Sequence, residues 1–190
     1  MGDFSQNGII SNLHDFGTKT TADIEKELVK FSKERKMELI LPSLYSELKG
    51  DALPNIVKQI SETKYLSHII VGLDKASKTE AVKAWKFFKK LNTPFTILWN
   101  DGPRLKKLHE ELKKKDLAPS EMGKGRNVWY CLGMCIARDE ARSVALHDCD
   151  IKTYDRRMLG KLFYPVVNPF FNFEFCKGYY PRISLSLIHI

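Results

Sequence analysis

Short apolar segments alternate with amphipathic segments along this chain, and this alternation limits the fold more than any other feature. The apolar segments are "MELILPS", "HIIVGLD", "PFTILWND" and "SVALHD". Each has the length of a strand and a continuous apolar run, which is typical of strands buried on both faces. Strands alternating with helices favour an α/β domain whose central, mostly parallel sheet is flanked by helices.

The segments between these strands have the apolar spacing of helices that cover a sheet on one side. Thr20 is a predicted helix cap, and Ser77 and Glu80 have the spacing of a capping box. The side chains expected to face the core are Ile24, Leu28 and Phe31; Leu53, Ile56, Val57 and Ile60; Ala81, Trp85 and Phe88; and Leu105, Leu108 and Leu112. A short helix is expected near "RRMLGKLF", and "NFEFCKGYYPRI" is predicted to be a further strand.

The composition suits one globular domain with a substantial core. The chain has 190 residues, of which 43% are hydrophobic and 28% charged. No segment approaches the roughly 20 apolar residues of a membrane span, and the N-terminus lacks the pattern of a secretory signal. Four cysteines are too few for a disulfide scaffold, so we expect a cytoplasmic protein. The net charge of +8 indicates anionic ligands without identifying them.

The C-terminal residues "LSLIHI" match the translation of a transposon end that is used to prepare sequencing libraries. We therefore expect residues 1–184 to be the incomplete N-terminal part of a longer protein. Residues 185–190 are expected to be adapter read-through and not native sequence.

The segment "HDCD" ends the fourth predicted strand and contains two carboxylates, Asp148 and Asp150. Such a pair can hold one divalent ion while diphosphate oxygens fill its other positions, which suits Mg²⁺ or Mn²⁺. On the motif alone, a metal site and a solvated turn are equally favoured. Zinc is a poorer fit, because Cys131 and Cys135 have the spacing of small buried residues on one helix face and no Cys-x₂-Cys pair is present. His147 is expected to be a packed histidine.

Three other segments give weaker signals. "EMGKGRNVWY" places two glycines around Lys124 before a helix, so its backbone amides and the lysine can approach an anion; a mobile turn is nearly as good an interpretation. "LPSLYSELKGDALPNI" can form a loop around a base or ribose. In "CKGYYPR", core packing competes with a phosphate contact by Lys177 and Arg182.

As an ordered set, these segments resemble one known family. "LPSLYSEL", "IIVGLDKAS", "GKGRNVW", "ALHDCDI" and "FCKGYYPR" look like successive blocks of glucosyl-3-phosphoglycerate synthases. These are retaining glycosyltransferases of the GT-A type, related to mannosylglycerate-type synthases. The resemblance implies a GT-A fold and transfer of glucose from UDP- or GDP-glucose to 3-phosphoglycerate, with Mg²⁺ or Mn²⁺ as cofactor.

The resemblance also implies roles for individual residues. Asp150, with Asp148, would hold the metal, and no catalytic residue is assigned, since front-face attack by the acceptor hydroxyl needs no protein nucleophile. The residues implied to bind the donor are Pro42, Ser43, Leu44, Glu47, Asp74, Lys124 and Asp148.

The chain departs from the family pattern in two places. Tyr45, Ser46 and Glu47 stand where many relatives have Asn-Glu-Glu, and "DKAS" replaces a "DSGS"-like turn. The family's acceptor segment and its metal-ligating histidine would lie beyond "CKGYYPR". We therefore expect this chain alone to bind nucleotide and metal weakly and to lack turnover.

Two alternatives to this function stay open at the level of sequence. A sugar-phosphate nucleotidylyltransferase also uses a strand-end aspartate with Mg²⁺ and a basic loop. A basic RNA-binding module fits the charge, but no stacking aromatic motif favours nucleic acid. The choice between UDP and GDP, the choice between glucose and mannose, and the oligomeric state, including a homodimer, are also left open.

Overall fold

Four parallel strands form the sheet of the computed structural model, which describes residues 17–171 and 173–178. The elements in chain order are α1 (Thr21–Phe31), β1 (Met37–Leu44), a 3-10 helix (Tyr45–Lys49), α2 (Ala52–Ser61), β2 (Leu66–Asp74), α3 (Lys78–Phe88), β3 (Phe95–Trp99), α4 (Pro103–Lys113), α5 (Lys124–Arg138), β4 (Ser143–Leu146) and α6 (Arg156–Val167). The predicted alternation of strands and helices is confirmed. No helix in these described ranges is long and apolar enough to cross a membrane.

The strand order is β3-β2-β1-β4, and all three strand pairs are parallel. The chain builds the sheet outward from β1 to β3 and then returns to place β4 on the other side of β1. This reversal of direction between β1 and β4 is a topological switch point, where open α/β sheets bind their ligands beyond the carboxyl ends of the strands.

Alternating side chains of β1 and β2 enter two separate cores, as the twofold period of a strand requires. Leu39 and Ile69 belong to the larger core, which includes residues of α1, α2 and α6. Ile40 and Ile70 face α5 on the other side of the sheet. The continuous apolar sequence of these strands therefore reflects a sheet covered on both faces.

Most of the predicted helix starts and inward faces are confirmed. The Thr20 hydroxyl accepts the Asp23 N–H, the Ser77 hydroxyl accepts the Glu80 N–H, and both capping boxes are complete. The buried predicted residues of the first two helices are Ile24, Leu28, Leu53, Ile56, Val57 and Ile60. Propensity and periodicity agree with the tertiary fold at these positions.

Two predicted core residues are wrong. Trp85 is 46% exposed, because α3 buries Ala84 together with the predicted Phe88. The Trp85 ring lies beneath Lys89 Nζ, with 4.1 Å between Nζ and the ring centroid. Leu108 is 43% exposed, because α4 lies at the periphery and contains no buried residue. Helical spacing identifies an apolar face, but it does not show whether another element covers that face.

Three strand predictions also need correction. β3 and β4 are the edge strands of the described sheet, and neither is buried on both faces as predicted: β3 contains no fully buried residue and β4 buries only Ala145. Residues 173–178 of the predicted strand "NFEFCKGYYPRI" contain no strand. Asn172 and the "YYPR" part, including Arg182, lie outside the described residues, as do residues 185–190.

Helix α5 approaches β2 very closely at Gly72. The Asn127 side-chain N–H donates to the Gly72 carbonyl oxygen at 2.9 Å. A Cβ on Gly72 would lie 1.7 Å from Asn127 Oδ1 and 2.7 Å from Cys131 Sγ. Position 72 therefore has no room for a side chain while α5 keeps its place.

We expect Gly72→Ala to destabilise the protein by about 1–3 kcal/mol, because α5 must move or distort to admit the methyl group. Gly133→Ala is the matched control, since a Cβ there meets nothing within 4 Å. In this exposed helical position, alanine should stabilise by about 0.5–1 kcal/mol. Urea unfolding measures both changes. An unfolding free energy of Gly72→Ala that is not lower than that of the wild type would contradict the close contact.

His68 is a buried ionisable residue of β2. Its Nε2 atom lies 2.9 Å from Thr96 Oγ1, within hydrogen-bond distance. Burial lowers the pKa of His68 below its ordinary value, and the positive charge of Arg138 lowers it further. The neutral ring is therefore favoured in the folded protein.

This pKa shift predicts a loss of stability in mild acid. Below about pH 6.5 His68 is protonated in the unfolded chain, whereas in the folded chain its lowered pKa keeps the ring neutral to lower pH. The folded state is therefore destabilised relative to the unfolded state as the pH falls below that value. His68→Gln keeps an amide N–H near Thr96 and removes the titration. Between about pH 7 and pH 5 the free energy of unfolding should therefore decrease more in the wild type than in His68→Gln. Parallel losses in the two proteins would refute this assignment.

Candidate functional site

The predicted site residues lie in one region, at the carboxyl ends of three strands. Leu44 of β1 pairs with Asp74 of β2, and Pro42 pairs with Gly72. On the other side of β1, the His147 N–H donates to the Ile40 carbonyl oxygen, which continues β4 towards the "DCD" segment. The strands thus bring the first, second and fourth predicted loops to the same edge of the sheet.

The loop after β1 is held by its own side chains. Glu47 Oε2 accepts the Leu44 N–H at 2.9 Å, closing the start of the 3-10 helix. Ser43 is buried, and its hydroxyl donates to the Leu44 carbonyl oxygen at 3.1 Å. Both side chains stabilise the loop through hydrogen bonds to its main chain. Their roles in donor binding stay predictions.

The N-terminus of α5 points to this edge of the sheet. Gly123 precedes the helix with a φ of +139°, a conformation that favours glycine. The first main-chain N–H bonded back into the turn is that of Asn127, to the Gly123 carbonyl oxygen. Among the described residues the N–H groups of residues 124–126 have no main-chain acceptor. They lie at a helix end that carries partial positive charge, which is an arrangement suited to phosphate.

Lys124, in the first turn of α5, donates a hydrogen bond from Nζ to Asp148 Oδ1. Both side chains are about half exposed. The pair therefore joins the helix end to the segment after β4 while both groups remain accessible to solvent, where a ligand can replace either partner.

A second ion pair lies deeper in the same region. Arg126 Nη2 is 3.5 Å from Asp74 Oδ1, and the two side chains are only 12% and 8% exposed. A cleft of about 430 Å³ adjoins this helix end, and its lining includes Lys124, Gly125 and Arg126. The first turn of α5 thus contacts the ends of both β2 and β4 through two different cations.

The "DCD" segment turns its two carboxylates away from the core. Cys149 is buried next to the Ser43 hydroxyl, and burial raises the pKa of its thiol. Asp148 is partly exposed and Asp150 is exposed. Asp150 forms no hydrogen bond or ion pair with the described residues, so its carboxylate oxygens are available as ligands.

His147 has the predicted role of a packed residue. Its ring lies edge-on to Tyr154 with 5.3 Å between the centroids, and burial lowers its pKa to about 4. Cys131 and Cys135 are buried on the face of α5 against Ile40 and Ile70, as predicted. Cys149 instead belongs to the larger core on the other side of the sheet.

Hard divalent cations fit the oxygen ligands at the end of β4. In the described ranges no three histidine, cysteine, aspartate or glutamate side chains are grouped to hold a metal. Asp148 and Asp150 could therefore supply only part of a coordination sphere, which leaves positions for phosphate oxygens and water. Mg²⁺ and Mn²⁺ accept such mixed oxygen coordination.

Sequence reasoning missed Arg126 and Asn127. Arg126 and Asn127 lie within the segment "GKGRNVW", where Arg126 is a second cation in the same helical turn as Lys124. Asn100 directly follows β3 and is 6% exposed. Its place at the end of a third parallel strand predicts that it lies at the same edge of the sheet as the other strand-end residues.

A parallel sheet covered on both faces, with an Asp-x-Asp segment beyond the switch point, defines a domain of the GT-A type. A solved structure has this fold: the glucosyl-3-phosphoglycerate synthase from Mycobacterium tuberculosis in complex with Mn²⁺, UDP and glucosyl-3-phosphoglycerate. The match has a TM-score of 0.50 and 16% sequence identity, and it covers 80% of this chain and 45% of that chain. The predicted fold class is confirmed.

The sequence matches two curated glucosyl-3-phosphoglycerate synthases. The enzyme from Persephonella marina is 43% identical over 98% of this chain, and the enzyme from Methanococcoides burtonii is 37% identical over 93%. No family model matches the chain. The predicted resemblance to glucosyl-3-phosphoglycerate synthases is therefore confirmed along nearly the whole sequence. The chain spans 46% and 43% of the length of these two relatives.

The two ion pairs at the start of α5 should differ in strength. Breaking a buried pair leaves an uncompensated charge, so Arg126→Met or Asp74→Asn should each cost about 3 kcal/mol, with the double variant losing less than their sum. The exposed pair offers the matched control: Lys124→Met and Asp148→Asn should be coupled by less than about 1 kcal/mol. Double-mutant cycles in urea unfolding measure both couplings. Equal coupling energies would contradict the difference in burial.

Proposed function

We propose that this chain binds a nucleotide diphosphate sugar together with a divalent metal, as the donor-binding part of a glucosyl-3-phosphoglycerate synthase. The observation that carries the proposal is the arrangement of Asp150, Asp148 and Lys124 at the switch point. An accessible carboxylate pair and a cation at a helix N-terminus can together hold a diphosphate. The 43% identity to a glucosyl-3-phosphoglycerate synthase supports the choice of reaction.

The two faces of this site would bind different parts of the donor. Lys124 and the N–H groups of residues 124–126 would contact phosphate oxygens, because both carry positive charge towards the cleft. Asp74 and the loop from Pro42 to Leu44 would lie against the nucleoside. Glu47 would act by keeping that loop closed, since its carboxylate already accepts the Leu44 N–H.

Asp150 and Asp148 would hold Mg²⁺ or Mn²⁺ through their outward-facing oxygens. When bound, the metal supplies Lewis-acid stabilisation of the charge that develops on the departing diphosphate. Because Lys124 already contacts Asp148, the lysine lies where it can share in neutralising the same phosphate groups.

The acceptor in this proposal is 3-phosphoglycerate, with glucose transferred from UDP- or GDP-glucose. The net charge of +8 favours an anionic donor and an anionic acceptor alike. A cytoplasmic location is part of the proposal and is supported by the free cysteines at positions 131, 135, 149 and 176.

We expect UDP-glucose or GDP-glucose with Mg²⁺ to raise the melting temperature of the wild-type chain. Near a hundred dissociation constants of ligand the shift should be on the order of 5 °C, because binding to the folded state alone adds about 2.7 kcal/mol. Asp150→Ala should lose most of this shift. Differential scanning fluorimetry with and without metal measures it.

Glu111→Ala is the control, because Glu111 is an exposed carboxylate on α4, away from the strand ends. It should keep the full ligand-induced shift. The absence of a shift with any nucleotide sugar would contradict the proposed function. Release of pyrophosphate from a sugar phosphate and a nucleoside triphosphate would instead favour nucleotidyl transfer.

A further inference from the structure

The loop between β4 and α6, residues 147–155, has very little main-chain support of its own. Strand pairing ends at Leu146, and α6 begins at Arg156. Within the described ranges, no main-chain group of residues 148–154 takes part in a hydrogen bond to another main-chain group. This stretch contains both proposed metal ligands, Asp148 and Asp150. The position of these ligands therefore depends on the side chains that hold the loop.

Helix α2 supplies two of these side chains. Asn55 Nδ2 donates to the Tyr154 carbonyl oxygen at 3.0 Å, and the Arg156 N–H donates to Gln59 Oε1 at 3.4 Å. Asn55 and Gln59 are four residues apart and therefore lie on the same face of α2. The two amides bond the C=O and the N–H on either side of Asp155, which are groups that a neighbouring strand would bond in a sheet.

Tyr154 connects this anchor to the metal ligands. Its side chain is only 3% exposed, and its ring packs edge-on against the buried ring of His147. The His147 N–H is bonded to β1, and His147 directly precedes Asp148. Asp150 lies in sequence between the two buried rings. The contact made by Asn55 thus holds one end of the loop, and the bond from His147 to β1 holds the other.

We propose that Asn55 is a positioning residue for the metal site. Its hydrogen bond to the Tyr154 carbonyl oxygen holds the loop in the shape that turns Asp148 and Asp150 outward together. Gln59 acts in the same way on the other side of Asp155. This inference rests on the proposed function and extends it to α2, a helix that supplies none of the proposed ligands.

Loss of the Asn55 hydrogen bond should weaken metal binding although no ligand is removed. The loop would be less ordered before the ion binds, so binding would have to order it. Residues that hold metal ligands from outside the coordination sphere typically contribute about 10–100-fold to metal affinity. Because Asn55 contacts the main chain of the loop and not a ligand itself, we expect the lower end, about 10-fold, for Asn55→Ala.

Titration of Mn²⁺ into the chain at room temperature tests the inference, with the free ion measured by electron paramagnetic resonance. UDP-glucose and, in a separate series, GDP-glucose are kept present, and a titration without protein corrects for the ion that they bind. Asn55→Ala should need about 10-fold more Mn²⁺ than the wild type for half-occupancy. An unchanged affinity for Mn²⁺ would overturn the inference.

Asn92→Ala is the matched control. Its side-chain amide also donates to a carbonyl oxygen of α2, that of the last residue of the helix, Ser61, at 2.8 Å. Each substitution removes one hydrogen bond of the same kind, so the two should lower the free energy of unfolding by similar amounts. Only Asn55→Ala should weaken Mn²⁺ binding. Equal weakening in both variants would assign the effect to a general loss of stability and overturn the positioning role.

Asp150→Ala in the same titration separates this inference from the proposed function. If Asp150→Ala binds Mn²⁺ as tightly as the wild type, the proposed metal site is wrong and both fail. If Asp150→Ala loses the ion while Asn55→Ala keeps it at full affinity, only the inference fails.

Gln59→Ala keeps the inference testable if Asn55→Ala does not fold. It removes the longer of the two hydrogen bonds, and the start of α6 stays held by Arg156, whose Nε lies 3.1 Å from Glu25 Oε1. The expected loss of Mn²⁺ affinity is therefore smaller, about 3-fold. In that case, an affinity equal to that of the wild type would overturn the inference.

Discussion

The close contact between α5 and β2 is the constraint on which the site depends. Gly72 lets Asn127 reach the main chain of the strand, and a side chain there would displace the helix. Lys124 and Arg126 lie within the first turn of the same helix, so their positions follow from this contact. Gly72, which has no side chain, thus allows α5 to place Lys124 near the end of β4 and Arg126 near the end of β2.

The two ion pairs at this helix end differ in burial, and this difference fits different tasks. Arg126 and Asp74 are mostly buried, so the fold sets their geometry. Lys124 and Asp148 are about half exposed, so water and salt weaken their attraction and either group can exchange partners. A diphosphate and a metal arriving together could replace that contact at little cost.

Sequence reasoning predicted the elements, the parallel sheet and the site loops, because hydrophobic period and strand-end position are local signals. It failed for Trp85 and Leu108, since period alone does not show which apolar face another element covers. It also missed Arg126, whose partner is far away in the sequence, at the end of another strand. Such contacts depend on how α5 packs on the sheet, and this packing cannot be predicted from the sequence of one segment.

The residues that the family resemblance implies for the site fall into two groups, those that stabilise their own loop and those that face solvent. Ser43 and Glu47 satisfy the main chain of their own loop, so their structural effect is to hold the β1 end in shape. Asp150 has no partner among the described residues and faces solvent, as an available metal ligand should. A family motif therefore combines residues that contact a ligand with residues that position them, and substitution should affect the two groups differently. Changes at Ser43 or Glu47 should act through the loop on every ligand, whereas changes at Asp150 should act through the metal alone.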